Sequence, residues 1–383
     1  MQKALFKEFL DSEKTCGLVL LVCVVVSLVL SNSIVGCYYQ AFWQMEVDGV
    51  SLVHIINDGL MTLFFLLIGL ELEREIYVGE LRRFRNAILP IIAALGGMLV
   101  PSVCYYFFTS FTPFTSGIGI PMATDIAFAV GILSLFGKRV PAVLKIFLVA
   151  LTIIDDLGSI VVIAIFYAGD INFVALGLSF MVFVALLVLN RTNVLSLVPY
   201  IIGGIIMWIL MYKSGVHPTL TGVLLAFAIP FRDYQTDSPS FRLQHYLTKP
   251  VGLLVLPIFA LANTAITVGS DSLEAVLSPY GLGIFFGLFL GKPLGIILFS
   301  YLAIRFGICT KSKTLEWKYI LGVGLLAGIG FTMSIFITML SFSDAFVVSS
   351  AKVAILLASL VSGVVGYWWL YGVLPVGKTD MGK

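Results

Sequence analysis

Charge is what this 383-residue chain lacks: Asp, Glu, Lys and Arg make up only 11% of it, where a soluble globular protein carries about 25%. With 60% hydrophobic residues, the chain cannot clothe a water-soluble domain, and the class left is a polytopic membrane protein. Cysteine is sparse as well. The five, at positions 16, 23, 37, 104 and 309, form no CxxC and no metal-ligand spacing. That argues against a disulfide framework, a zinc site or an iron–sulfur centre. There is no Walker loop, no G-x-G-x-x-G after a strand, and no soluble segment to carry a nucleotide domain. No cofactor, no nucleic-acid partner and no ATP-driven transport are expected, and nothing marks an enzyme.

What the chain has in abundance is apolar runs. Windows of ~20 residues, long enough to cross a bilayer, lie near 15–32, 52–73, 87–108, 117–136, 142–168, 171–190, 194–212, 216–231, 248–269, 280–304, 317–341 and 347–373. The fold expected is all-α, one transmembrane domain over 1–383 with twelve spans, numbered here in chain order. The basic residues orient it. Twenty of the 23 Lys and Arg fall in loops on the side of the N-terminus, with Lys213 and Lys352 opposite and Lys292 inside the membrane. By the positive-inside rule both termini are cytoplasmic. Residues 1–14, with Phe6, Phe9 and Leu10 against Lys3, Lys7 and Asp11, suggest an amphipathic helix on the cytoplasmic surface rather than a signal peptide. Residues 36–50 form a short periplasmic arm, with Asp48-Gly49 as a hairpin-turn signal.

Against this background four charges fall near mid-span: Asp125, Asp155, Asp156 and Lys292. At ~1.5 Å per residue the Asp155-Asp156 pair lies ~20 Å from Pro141, close to the membrane midplane. An ionised Asp there costs at least ~2.5–3.5 kcal/mol on insertion scales. Structural ion pairs are a poor reason for keeping such groups, because desolvation offsets most of their attraction. Glycine and proline interrupt two of the spans: Gly119 and Pro121 break span 4 just before Thr124-Asp125, and Gly328-Ile-Gly330 breaks span 11. Irregular backbone at membrane depth is tolerated only where protein covers it or a cavity adjoins it. Spans 4 and 11 are the middle members of triplets 3–5 and 10–12, whose odd helix number makes them inverted repeats. Matching interruptions in such repeats are a pattern known in secondary transporters, among them the family named below.

The broken helices would present half-helix ends of about +0.5 and −0.5 charge, with Asp125 suited to the positive ends and Lys292 to the negative ones. Asp155 and Asp156 then remain for a transported ion, with Thr124 as a further oxygen donor. Such a pair titrates as a coupled unit. Binding either protons or an alkali cation, it is already the core of an exchanger.

At these residues the chain resembles the NhaA family of bacterial sodium/proton antiporters over nearly its full length. The matching stretches are Asn57–Glu71 with Arg74-Glu75, Pro121–Asp125, Ile153–Gly158, Ser214–His217, Gly291–Gly295 and Gly328–Ser334. The resemblance implies an inverted-repeat fold with helices 4 and 11 unwound and crossing. It implies electrogenic, pH-regulated exchange of cytoplasmic Na+ or Li+ for external H+ by alternating access, in the bacterial inner membrane, serving pH homeostasis and salt tolerance. Asp156 would be the chief cation ligand. Asp155 would bind protons and pair with Lys292, releasing it when the cation enters, beside Thr124 and Asp125. Glu71, Glu75 and His245 would line a cytoplasmic funnel and take part in the pH response. Two departures stand out. Gln244 occupies the place of an acidic residue before His245, and the arm is short for the family's dimerising hairpin, the candidate homodimer contact.

Other histidines and acids read as structural. Asp58 reads as a helix-start residue, His217 as another before Pro218, and His54 has no evident partner. An intramembrane aspartyl protease would need Tyr-Asp and Gly-x-Gly-Asp contexts on separate helices, which are absent here. The remaining alternative is a sodium-coupled symporter of a small solute, though no mid-membrane arginine awaits a substrate carboxylate.

Overall fold

The computed structural model describes residues 2–47, 49–79, 82, 84–231, 238–309 and 314–375. Asp48 of the expected turn and the loop residues Arg83, Arg232, Lys311, Lys313, Lys378 and Lys383 lie outside this set, as do the side chains of the expected amphipathic segment up to residue 13.

The chain is an all-α polytopic membrane protein. Among the described residues nine helices are long and apolar enough to cross a bilayer: Lys14–Ser31, Leu52–Tyr77, Ala87–Thr109, Thr115–Leu135, Ala142–Phe166, Phe173–Arg191, Pro239–Asn263, Pro279–Arg305 and Ala345–Val373. A bent pair, Trp317–Ala327 and Phe331–Ser341, meets at 47° and makes a tenth. Span 7 is the 17-residue helix Val198–Ser214.

Span 8 departs from expectation. Its helix covers only Leu220–Ala228, ~14 Å of a ~30 Å core. The cause is local: Gly215 takes φ +78°, Pro218 sits in the turn that follows, and Ile229 leaves the helix in extended conformation just before Pro230. Span 9 departs the other way. Ser238 caps a helix start by accepting from Phe241 N at 3.3 Å, and helix then runs over Pro239–Asn263, so the segment expected as a loop around His245 is helical. The first helix runs unbroken over Gln2–Ser31, continuous with the segment expected to lie on the surface. In the arm, Gly36–Gln44 is helical, and among the described residues paired strand is confined to Glu46–Val47 against Val50–Ser51, antiparallel.

The chain divides into two compact units, one of Met1–Val19, Phe84–Gly158 and Val268–Lys383, the other of Leu20–Arg83 and Ser159–Thr267. The first holds spans 3, 4, 10, 11 and 12, and span 5 as far as Gly158. Spans 3 and 10 cross in it almost backbone to backbone. A Cβ on Gly96 would run into the Gly295 carbonyl, and one on Gly295 into that of Gly96, so glycine is what permits the crossing. In the second unit Leu66, Leu70, Leu186, Tyr200, Met207, Leu225 and Ile229 form a buried cluster, and Gly69 lets span 2 lie against Ala226.

Candidate functional site

The site begins with the two breaks. Span 4 enters as a tight 3-10 helix over Thr115–Met122, runs extended through residues 123–125, and resumes as helix at Ile126–Leu135. Span 11 stops at Ala327 and restarts at Phe331. Each break frees carbonyls on its first half and amides on its second, and the two breaks satisfy one another. Asp125 N donates to Ile329 O at 2.7 Å. Thr124 Oγ1 lies 3.0 Å from Ala327 O, the carbonyl that ends the first half of span 11. Ser334 Oγ donates to Ile120 O at 2.7 Å. A Cβ on Gly330 would come within 3.1 Å of Ala123 O, so the close crossing depends on its absence.

Asp125 joins the two amide ends. Its Oδ1 accepts from Phe128 N at 3.2 Å, capping the second half of span 4. Its Oδ2 accepts from Thr332 N at 3.1 Å and Thr332 Oγ1 at 2.7 Å, at the start of the second half of span 11. One carboxylate thus faces two positive helix ends, each stabilised by a nearby anion. Thr332 was not singled out from the sequence. Only its place just after the Gly328-Ile-Gly330 break could have marked it.

On the carbonyl side stands Lys292. Its Nζ donates to Met122 O, the last residue of the first half of span 4, and to Asp155 Oδ2 at 2.6 Å. Both side chains are fully buried. Lys292 follows a π-helical turn, Gly287–Gly291, a local widening of the helix often found at functional sites. Thr124 Oγ1 also lies 2.6 Å from Asp155 Oδ2, so its one proton is shared between that carboxylate and Ala327 O. Asp155 Oδ1 accepts no hydrogen bond among the described residues. Asp156, next along span 5, is 2% exposed, and its charge acts on Lys292 as well. The structure therefore brings Thr124, Asp125, Asp155, Asp156 and Lys292 together inside one unit, with hard oxygen atoms and one ammonium at the point where two helices break.

The pattern for sodium/proton antiporters (Na+/H+ antiporter 1) matches residues 7–370. The chain belongs to that family. It is 55% identical to the Na(+)/H(+) antiporter NhaA of Cytophaga hutchinsonii over 366 residues, covering 96% of this chain and 95% of that one. It is 53% identical to NhaA 1 of Flavobacterium johnsoniae, covering 97% and 98%, and 54% identical to NhaA of Dechloromonas aromatica, covering 95% of each.

In this antiporter family member a second group of acids lies at the end of span 2, in the other unit. Glu71 is buried and hydrogen-bonded to the Gln244 side chain. The amide at that position can donate to the acid facing it, which an ionised carboxylate could not do. Glu75 is partly exposed, with Oε1 3.6 Å from Arg74 Nη2. His245 is exposed on its helix, edge-on to Tyr246 with ring centroids 6.5 Å apart. Sequence reasoning passed over Glu73, which is buried and accepts from Ser240 Oγ at 2.6 Å. The available signal was that Ser240 and Gln244 stand one turn apart on the same helix and so face span 2 together.

Three further positions differ from expectation. Asp58 is not at a helix start: that place belongs to Ser51, whose hydroxyl accepts from His54 N at 3.3 Å. Asp58 instead lies in a π-helical turn, Ile56–Leu60. It is also the partner His54 had lacked, with Nε2 3.1 Å from Asp58 Oδ2 at the i, i+4 spacing. Lys352, counted with the outer loops, is buried inside the last helix, Ala345–Val373.

Proposed function

We propose that this protein exchanges cytoplasmic Na+ or Li+ for external H+ across the bacterial inner membrane, by alternating access at the crossing of spans 4 and 11. The observation that carries the proposal is the buried Lys292–Asp155 contact beside Asp156. With both acids ionised and the lysine charged, the group carries a net −1 in a medium that penalises charge. One alkali cation or one proton brings it to neutrality, and the two compete for the same oxygen atoms. The cation enters as cargo, bound chiefly by Asp156 with help from Asp155. Its arrival beside Asp155 opposes the Lys292 ammonium, which is released from Oδ2. Parted from Asp155, the buried Lys292 ammonium gives up its own proton in addition to the one displaced from the acid pair, and this makes exchange electrogenic, with more protons entering than cations leaving.

Asp125 has a different task. Already holding two helix ends, it keeps both breaks in register while the site changes occupancy. Glu71, Glu75 and His245, with both termini on the same cytoplasmic side, take part in setting the pH range, and Gln244 modifies that response. The test is to place the purified protein in liposomes with an internal pH reporter and add Na+, Li+ or K+ outside. Alkalinisation of the lumen by Na+ or Li+ with no other solute present establishes antiport. Its loss in Asp156→Asn places the ion on the acid pair, whereas a requirement for a second solute would indicate symport instead.

A further inference from the structure

After span 1 ends at Ser31 the chain forms the nine-residue helix Gly36–Gln44, which belongs to the same unit as the outer part of that span. One side of this helix is fastened to the protein. Tyr39 OH donates toward Leu261 O at 3.1 Å and Ser27 Oγ at 3.0 Å, and Gln40 Nε2 donates to Thr267 Oγ1 at 2.8 Å. The opposite side carries Tyr38, Ala41 and Phe42, and continues to Met45, at i, i+3, i+4 and i+7. Tyr38 is 80% exposed, Phe42 50% and Met45 57%. Ile34, just before the helix, is fully exposed. This is an amphipathic pattern turned outward: the polar contacts face the protein and the apolar stripe faces away.

We propose that Gly36–Gln44 is a membrane-interface anchor, its Tyr38–Ala41–Phe42–Met45 stripe seated where phospholipid headgroups meet acyl chains. The chain just before it already turns apolar side chains outward, with Leu21, Val22, Val25, Val26 and Val29 of span 1 exposed. Its chemistry fits that depth. Four of the nine residues are aromatic, Tyr38, Tyr39, Phe42 and Trp43, and none is charged. Tyrosine and tryptophan concentrate at membrane–water boundaries, where an apolar ring and a polar tip are both satisfied.

A second copy of the chain is a weaker occupant. A helix ~14 Å long and ~10 Å wide falls well short of the ~800 Å² per partner that a stable protein interface buries.

The test uses spin labels at single cysteines introduced as Tyr38→Cys, Phe42→Cys and Glu46→Cys, with the native cysteines replaced, in lipid nanodiscs. Unchanged elution of each variant on gel filtration verifies folding, since all three positions are exposed. Collisions with oxygen, which concentrates in lipid, are compared with collisions with a water-soluble nickel chelate. The anchor predicts that oxygen dominates at positions 38 and 42 and the chelate at 46. Dominance of the chelate at 38 and 42 would put the stripe in water and overturn the proposal. Protection from both reagents, with spin–spin broadening between molecules, would show a second copy covering it and would overturn the proposal equally.

Discussion

Asp125 and Asp155 lie in the same unit, one within the break of span 4 and the other in the unbroken helix of span 5 beside it, yet their surroundings differ in kind. Asp125 is saturated: two backbone amides and a hydroxyl donate to its two oxygens, and all three are fixed parts of the fold. Asp155 has one oxygen crowded by a lysine and a threonine and the other accepting nothing among the described residues. Its main partner is a side chain on four rotatable bonds, which can move away without unfolding a helix. The contrast separates two uses of a buried acid. One closes a structure, while the other, on the proposed function, is held in reserve for a mobile positive charge.

The strongest way to break this contrast is at the pair itself. Asp156→Asn is expected to abolish Na+-driven alkalinisation in proteoliposomes while leaving thermal unfolding nearly unchanged. If the same variant kept exchanging, the exchangeable site would lie elsewhere. Next in size, Asp155→Asn deprives the buried Lys292 ammonium of its hydrogen-bonded carboxylate, and stranding one member of a buried pair typically removes ~3–5 kcal/mol. Adding Lys292→Met should restore much of that stability without restoring exchange, a coupling readable in a double-mutant cycle. Asp125→Ala should lower stability by a few kcal/mol, since it removes a helix cap worth ~0.5–2 kcal/mol and leaves the buried Thr332 N–H unsatisfied at ~1–3 kcal/mol. Unlike the loss in Asp156→Asn, any loss of exchange there should track the fraction unfolded. The smallest effect belongs to Thr332→Val. It deletes one hydroxyl bond but keeps the backbone bond to Asp125, so ~1 kcal/mol is expected in thermal unfolding, with exchange retained.

Much of this was legible in the chain because the membrane makes polar residues conspicuous. Asp155, Asp156, Asp125 and Lys292 stood out as charges in apolar runs, and Gly119, Pro121, Gly328 and Gly330 as interruptions in spans. The hidden features depend on neighbours distant in sequence or on subtle helix geometry. Thr332 meets Asp125 across 207 positions, and a threonine in a membrane helix draws no notice by itself. Glu73 is buried because Ser240 happens to face it, which no pattern within span 2 reveals. The shortness of span 8 followed from turns at Gly215 and Ile229 that an apolar window of 16 residues conceals. The π-helical turns before Lys292 and at Asp58 leave no mark in hydropathy at all.

The central claim is that a cation and the protons of the Asp155–Asp156–Lys292 group compete for the same oxygens. The most direct measurement is to count protons released when Li+ or Na+ is added to the purified protein in weakly buffered solution, across a range of pH. The account predicts release that rises with cation occupancy, shifts to higher cation concentration as the pH falls, and vanishes in Asp156→Asn. Cation binding with no proton release at any pH, or release that survives in that variant, would contradict it.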